Sequence, residues 1–308
     1  MKRIILDKYM DMLGFNDGLG WIDKYLDCPS LVRLKNVGYF CGMDYASKNI
    51  YNFDEKITRY DHSVSVALIT WRLTNDIRVT LAGLFHDIGT PCFSHVIDYM
   101  NKDYDKQEST EEKTGEILRN DEYLCRCLLE DGILIDDIID FKKYSIVDMD
   151  RPRLCADRLD GVILTGLFWT KGIDIIDVDR IIKDIDVRIN EDGNDEICFK
   201  NIDIAMYVVN ASCEIDRYCH SKEDNFMMEL LASITRRSIG LGIISYEDLF
   251  IMDEDTVFSL LDKCNDRELH DDIDLFRNID ISMISDISMP KVKVRDLNPL
   301  VGNVRFRY

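Results

Sequence analysis

The pair His86-Asp87 is where side-chain chemistry first concentrates in this chain. One residue offers a neutral imidazole nitrogen and the other a hard carboxylate oxygen, a combination that suits a divalent or trivalent metal of intermediate softness. The pair ends an apolar stretch in which Ile77, Leu81, Leu84, Phe85 and Ile88 keep a helical period. Gly89-Thr90-Pro91 then stops that helix, because proline disfavours helical backbone at the residue before it. Upstream, His62 falls in the first turn of another helix, with Asp61 as its expected N-cap. Downstream, Asp157, Arg158 and Asp160 are charges set into an apolar helix expected from Pro152 through Leu167. A buried carboxylate needs a partner, and either Asp157 or Asp160 could complete a metal site. His95 and Asp98, three apart, share a helix face.

The elements that must position these residues read as mainly helical. Residues 1–28 carry apolar residues at helical spacing, and Leu31 to Gly38 forms a short helix. Residues 39–58 are irregular. Cys92 to Met100 is expected as a short helix, and Ser109-Thr110-Glu111-Glu112 fits a capping box that starts another toward Leu118. Residues 121–150 read as two short helices with an acidic connection. Val187–Asn190 and Glu196–Phe199 flank Glu191-Asp192-Gly193-Asn194-Asp195, a β-hairpin pattern. Helical periodicity returns from Ile202 to about Leu261, and the basic, alternating tail from Pro290 is expected to be extended, an edge strand. The division expected is a helical core with the metal site over residues 1–170 and a C-terminal helical extension with the hairpin over 171–308.

A net charge of −20 over 308 residues argues against a duplex nucleic-acid binder, whose affinity comes from Lys and Arg on phosphates. An anionic small substrate stays compatible, since a metal and a few arginines reverse the field inside a cleft. Ten cysteines without a CxxC pattern, no secretory leader and no long apolar run point to a reduced, cytoplasmic protein away from membranes.

Assembled in order, His62, His86-Asp87 and Asp157 resemble the H…HD…D signature of the HD-domain metal-dependent phosphohydrolases. The likeness extends to Arg59-Tyr60-Asp61-His62-Ser63, Ala82-Gly83-Leu84-Phe85-His86-Asp87-Ile88-Gly89, Phe93-Ser94-His95 with Asp98, Leu31-Val32-Arg33-Leu34 and Ala156-Asp157-Arg158-Leu159-Asp160. These segments are similar to those of the dNTP triphosphohydrolase branch, over roughly residues 31–165. The resemblance implies a mainly α fold, an HD helical core with a small β-hairpin and an extended C-terminal strand. It implies His62, His86, Asp87 and Asp157 as ligands of a divalent metal (Mn, Fe, Mg, Co, Ni or Zn). It implies His95, Asp98 and Glu108 in proton transfer, and Arg59, Arg158 and Arg33 in substrate binding. The implied partner is a nucleotide-like phosphorylated small molecule, most of all a (deoxy)nucleoside triphosphate, and the implied assembly a homo-oligomer.

Departures from the pattern alter the pocket. Thr90 stands where active triphosphohydrolases usually have a second His, and Gln107-Glu108 stands where they have His-Glu. Gln cannot titrate. Gly161 and Thr165 replace an aromatic and an acidic residue. Three readings follow: a triphosphohydrolase, a nucleotidase acting on monophosphates, or a nucleotide-binding regulatory protein with weak turnover. Thr90 and Gln107 favour the last; an oriented His95–Asp98 pair favours an enzyme.

Overall fold

Alternation between apolar helical stretches and turn residues produces a mainly α-helical molecule. The computed structural model describes residues 3–15, 20–105, 113–284 and 292–306. Its centre is the antiparallel pair Arg59–Thr74 and Ile77–Phe85, with Ala156–Thr165 packed across the first of them. Nearly every residue from Arg59 to Thr70 is buried, as is Thr80 to Phe85. Such all-round burial suits rigid support of a site. Gly83 allows the two helices to approach closely: a Cβ there would lie 3.1 Å from Thr70 Oγ1.

The first helix starts earlier than the sequence suggests. Thr58, not Asp61, is the N-cap: Thr58 accepts from the Asp61 N–H, and Asp61 returns a carboxylate to the Thr58 N–H at 2.8 Å. This reciprocal capping box is reinforced by an ion pair between Asp61 and Arg3. Two further boundaries differ. Residues 92–95 form a turn, with Phe93 and Ser94 in left-handed backbone (φ 65° and 47°), so the helix begins at Val96. Pro152 lies in a turn, and the downstream helix begins at Ala156.

The hairpin is present as β1 (Ile185–Ile189) and β2 (Asp195–Phe199), paired antiparallel. The tail supplies β3 (Leu300–Val301), parallel to β2, and β4 (Val304–Arg305) at the sheet edge. Residues 292–298 before them carry no regular secondary structure; Asn298 N–H bonds to Pro152 O, and Arg295 N–H to Asp216. One hydrophobic cluster runs from Leu6 to Phe306 through both halves of the chain. The Ser109 capping-box expectation, Gln107 and Glu108 lie outside the described residues.

Candidate metal centre

His62, His86, Asp87 and Asp157 lie together beside a cavity of about 220 Å3 whose wall includes His62 and Asp157. Each reaches it for a local reason. His62 projects from the capped first turn of Arg59–Thr74, and His86 is the C-cap residue that follows Ile77–Phe85, where its N–H at Nδ1 donates to Gly83 O at 2.8 Å. Asp157 sits in the first turn of Ala156–Thr165, beside the positive end of the helix.

His62 Nε2 lies 2.9 Å from Asp157 Oδ1 and 3.8 Å from Asp87 Oδ2. His86 Nε2 lies 3.5 Å from Asp157 Oδ1 and 3.7 Å from Asp87 Oδ1. It is buried and makes no hydrogen bond among the described residues. Ligands about 2.1 Å from a transition metal sit about 3.0–3.4 Å from one another along a coordination edge. The donor spacings of 2.9–3.8 Å bracket that range, and among the described residues the His86 nitrogen is left without a hydrogen-bond partner. The donor set of two imidazoles and two carboxylates fits a divalent cation.

Asp160 has a separate task from Asp157. It is fully buried, accepts from His62 Nδ1 at 2.6 Å, and accepts also from Tyr9 Oη. This fixes the His62 ring with Nε2 toward the centre, the support that metal-binding imidazoles ordinarily receive. Asp157 and Asp160 being three apart on one helix is the sequence signal for this division; Tyr9, from the N-terminal helix, had none.

Burial disfavours charge on His62, yet hydrogen bonds with Asp157 and Asp160 outweigh it and hold its pKa up at about 10. The same contest raises His86, where the charges of Asp87 and Asp157 prevail over burial. Burial would raise Asp87, but His86 and Arg59 bring it down to about 2. Protons on the imidazoles thus stand in for a cation among these carboxylates.

Arg59 Nη1 donates to Asp87 Oδ2 at 2.9 Å and Nε to Ser94 Oγ at 3.1 Å, with its guanidinium over the Tyr39 ring. Its Nη2 has no protein acceptor among the described residues. The left-handed Phe93-Ser94 turn puts Ser94 under Arg59 and His95 on the cavity wall. Such strain, about 1–3 kcal/mol per residue, is concentrated at functional sites. His95 Nδ1 pairs with fully buried Asp98 at 2.9 Å, leaving Nε2 for other work.

Two arginines behave differently from the expectation. Arg158 lines the cavity, but Nη2 donates to Met149 O at 2.7 Å and Nη1 to Arg153 O, so it braces the preceding loop. Arg33 does not line the cavity. Its Nη2 donates to Ile88 O (3.2 Å) and Thr90 O (2.7 Å), which corrects its assignment: it holds the turn after His86-Asp87 from behind.

Several neighbours of the centre carry no local sequence signal. Asp148, Cys155 and Asp157 bring ligand-type atoms within 4.8 Å of one another beside the centre. Tyr39 packs tilted against His62, at 5.2 Å between ring centroids, and a Cβ on Gly161 would come 3.3 Å from its hydroxyl. Tyr39 therefore takes up space that a side chain at position 161 would need. Phe40, Tyr51, Phe53 and Trp169 line the cavity farther along.

Residues 59–190 match the family described as HD domain. The uncharacterized protein YdhJ of Bacillus subtilis is 24% identical over 247 residues, covering 77% of this chain and 70% of YdhJ. The metal-dependent phosphohydrolase cns2 of Cordyceps militaris is 28% identical over 116 residues, 38% of this chain and 33% of cns2. A phosphohydrolase structure from Bacteroides thetaiotaomicron superposes with a TM-score of 0.59 at 18% identity, covering 84% of this chain and 72% of that one. Among the described residues no helix is long and apolar enough to cross a membrane.

Proposed function

We propose that this HD-domain chain, a hydrolase with a divalent-metal centre, cleaves a phosphoester of a small nucleotide-like molecule. His62, His86, Asp87 and Asp157 hold the cation. When bound, the metal lowers the pKa of a water and polarises the phosphorus centre. The observation that carries this reading is the buried His86 Nε2, without a hydrogen bond among the described residues and facing two carboxylates 3.5–3.7 Å away.

The chain's own groups supply the rest. Asp160 and Gly83 O fix the two imidazole tautomers so that both Nε2 lone pairs face the centre. Arg59 places a permanent cation beside Asp87, where Nη2 stabilises negative charge developing on the phosphoryl oxygens. His95, oriented by Asp98, delivers a proton from Nε2 to the leaving oxygen. Glu108 keeps its assignment as a further acid-base group from the sequence. Arg151, Arg158 and Arg295, all on the cavity wall, offset the chain's negative charge there.

The phosphate-bearing end and the aromatic end together support a nucleotide, with a nucleoside triphosphate as first choice and a monophosphate as second. Product analysis tests it. Purified protein with Mn, Mg, Fe, Co or Ni is incubated with dNTPs, NTPs and mononucleotides beside a His86→Ala, Asp87→Ala control. Tripolyphosphate with nucleoside, lost in the control, is expected. Orthophosphate from a monophosphate assigns the second choice. No product with any metal contradicts the enzyme and favours a binding protein.

A further inference from the structure

The end of the cavity lined by Tyr51 holds a carboxylate that the hydrolytic scheme leaves unused. Asp224 lies in the first turn of Lys222–Gly240 and faces the cavity rather than capping its helix, since Ser221 is the N-cap. Its Oδ1 accepts from Tyr51 Oη at 2.6 Å, and among the described residues no donor reaches Oδ2. The Tyr51 ring is 2% exposed and packs against Phe53 and Trp169, at 5.8 and 5.9 Å between centroids. Phe40 stacks on Phe53 at 4.3 Å, so this end is an aromatic box with one acid in its wall.

The Tyr51–Asp224 bond fixes the polarity of that wall. A tyrosine could donate or accept toward a ligand, but this hydroxyl spends its proton on Asp224. What remains toward the cavity from the pair is acceptor capacity only. Burial pushes Asp224 up to about 6, with Tyr51 and the Arg295 charge opposing, so at neutral pH it is mainly a carboxylate. Asp224 is half-buried on the cavity wall, so a ligand N–H or O–H that reaches its second oxygen makes a charge-assisted hydrogen bond there.

We propose that Asp224, positioned by Tyr51, is the specificity residue of this cavity and accepts hydrogen bonds from a donor on the non-phosphorylated part of the ligand. The inference rests on the nucleotide reading above. Aromatic walls favour a flat ring, and a carboxylate favours a ring edge carrying N–H groups. A 6-oxo-2-aminopurine offers two adjacent N–H donors, hypoxanthine one, and adenine alternates donor and acceptor. A ribose hydroxyl is the other source of the same donor chemistry.

The test is calorimetric binding of GMP, IMP, AMP and their 2′-deoxy forms to the full chain under chelator, so that no turnover intervenes. The expected order is GMP over IMP over AMP, about tenfold per lost charge-assisted hydrogen bond. Asp224→Asn is expected to weaken GMP by about tenfold or more and leave AMP nearly unchanged, because the amide can donate to the adenine acceptor. Tyr51→Phe, which keeps the ring, is expected to blur the same ranking to a smaller extent and serves if the Asn variant misfolds. A ribo-over-deoxy preference that vanishes in Asp224→Asn supports the acceptor role and assigns it to the sugar. Nucleotide binding with the same ranking in wild type and both variants overturns the inference and leaves the nucleotide reading standing. If no nucleotide binds the wild type, that reading fails first and the inference with it.

Discussion

Asp87 and Asp157 are held below the usual carboxylate range, whereas half-buried Asp44 and fully buried Glu254 are pushed above it. The two clusters lie on either side of one short segment. Tyr39 covers the metal centre, and a Cβ on its neighbour Gly38 would fall 2.8 Å from Glu254 Oε2 and 2.9 Å from Asp44 Oδ2. Burial acts the same way on all four acids. The difference is company: Asp87 and Asp157 face His62, His86 and Arg59, while Glu254 faces Asp44, with Lys56 and backbone N–H groups only partly compensating. The first cluster is a negative bowl that suits a cation; in the second, Glu254 keeps its proton beside the Asp44 carboxylate. Acidic residues therefore mark a metal site only where neighbours keep them ionised and buried nitrogens lack partners.

That contrast can be broken most forcefully at the centre. Asp157→Asn removes one carboxylate from both imidazoles. It should abolish tight divalent-metal retention and lower turnover by about a thousandfold or more. Metal content after gel filtration and rate assays check this; retained metal with full activity would show that Asp157 is not a ligand.

Asp160→Asn probes the support of His62. Loss of an outer-shell partner typically costs 10–100-fold in metal affinity, so competition with a chelating dye should show a drop of about that size. Unchanged affinity would demote the Asp160–His62 bond to packing.

The protonated state of Glu254 is tested by pH. Burial and the Asp44 charge raise Glu254 from the ordinary 4.5 to about 8 in the folded state. The folded protein then holds a proton that the unfolded chain releases above about 4.5, so this contribution is present at low pH and is lost as pH rises through about 8. Glu254→Gln should remove the loss, making the variant more stable relative to wild type at pH 9 than at pH 6 by a few kcal/mol. Denaturant midpoints at the two pH values read this, and a constant difference would contradict it.

The smallest effect is expected behind the centre. Arg33→Met forfeits hydrogen bonds to Ile88 O and Thr90 O, about 1–3 kcal/mol of stability, and should leave KM nearly unchanged. A large rise in KM with unchanged melting would return Arg33 to the substrate.

The core of this site was legible because its members lie in short local patterns. His62, His86-Asp87 and Asp157 each sit at a helix end that capping, proline or periodicity marks, and helical periodicity gave the fold class. What was not legible depends on distance in sequence or on rare backbone. Asp160 meets Tyr9 across 151 positions, and Asp224 meets Tyr51 across 173. No local pattern encodes either pair. The Phe93-Ser94 turn uses left-handed backbone at two residues that seldom adopt it, so periodicity extended the helix through it. Arg33 reads as a free cation in one dimension, yet the fold lays the loop after Asp87 onto its donors.

The most direct measurement is the metal dependence of phosphoester hydrolysis by the wild-type chain, stripped with chelator and titrated with Mn or Co while products are followed by ion-exchange chromatography. The account predicts no hydrolysis in the stripped protein, activity saturating with the bound metal, and its loss in the His86→Ala, Asp87→Ala double variant. Hydrolysis that survives stripping, or that persists in the double variant, would contradict the central claim that these residues hold the catalytic cation.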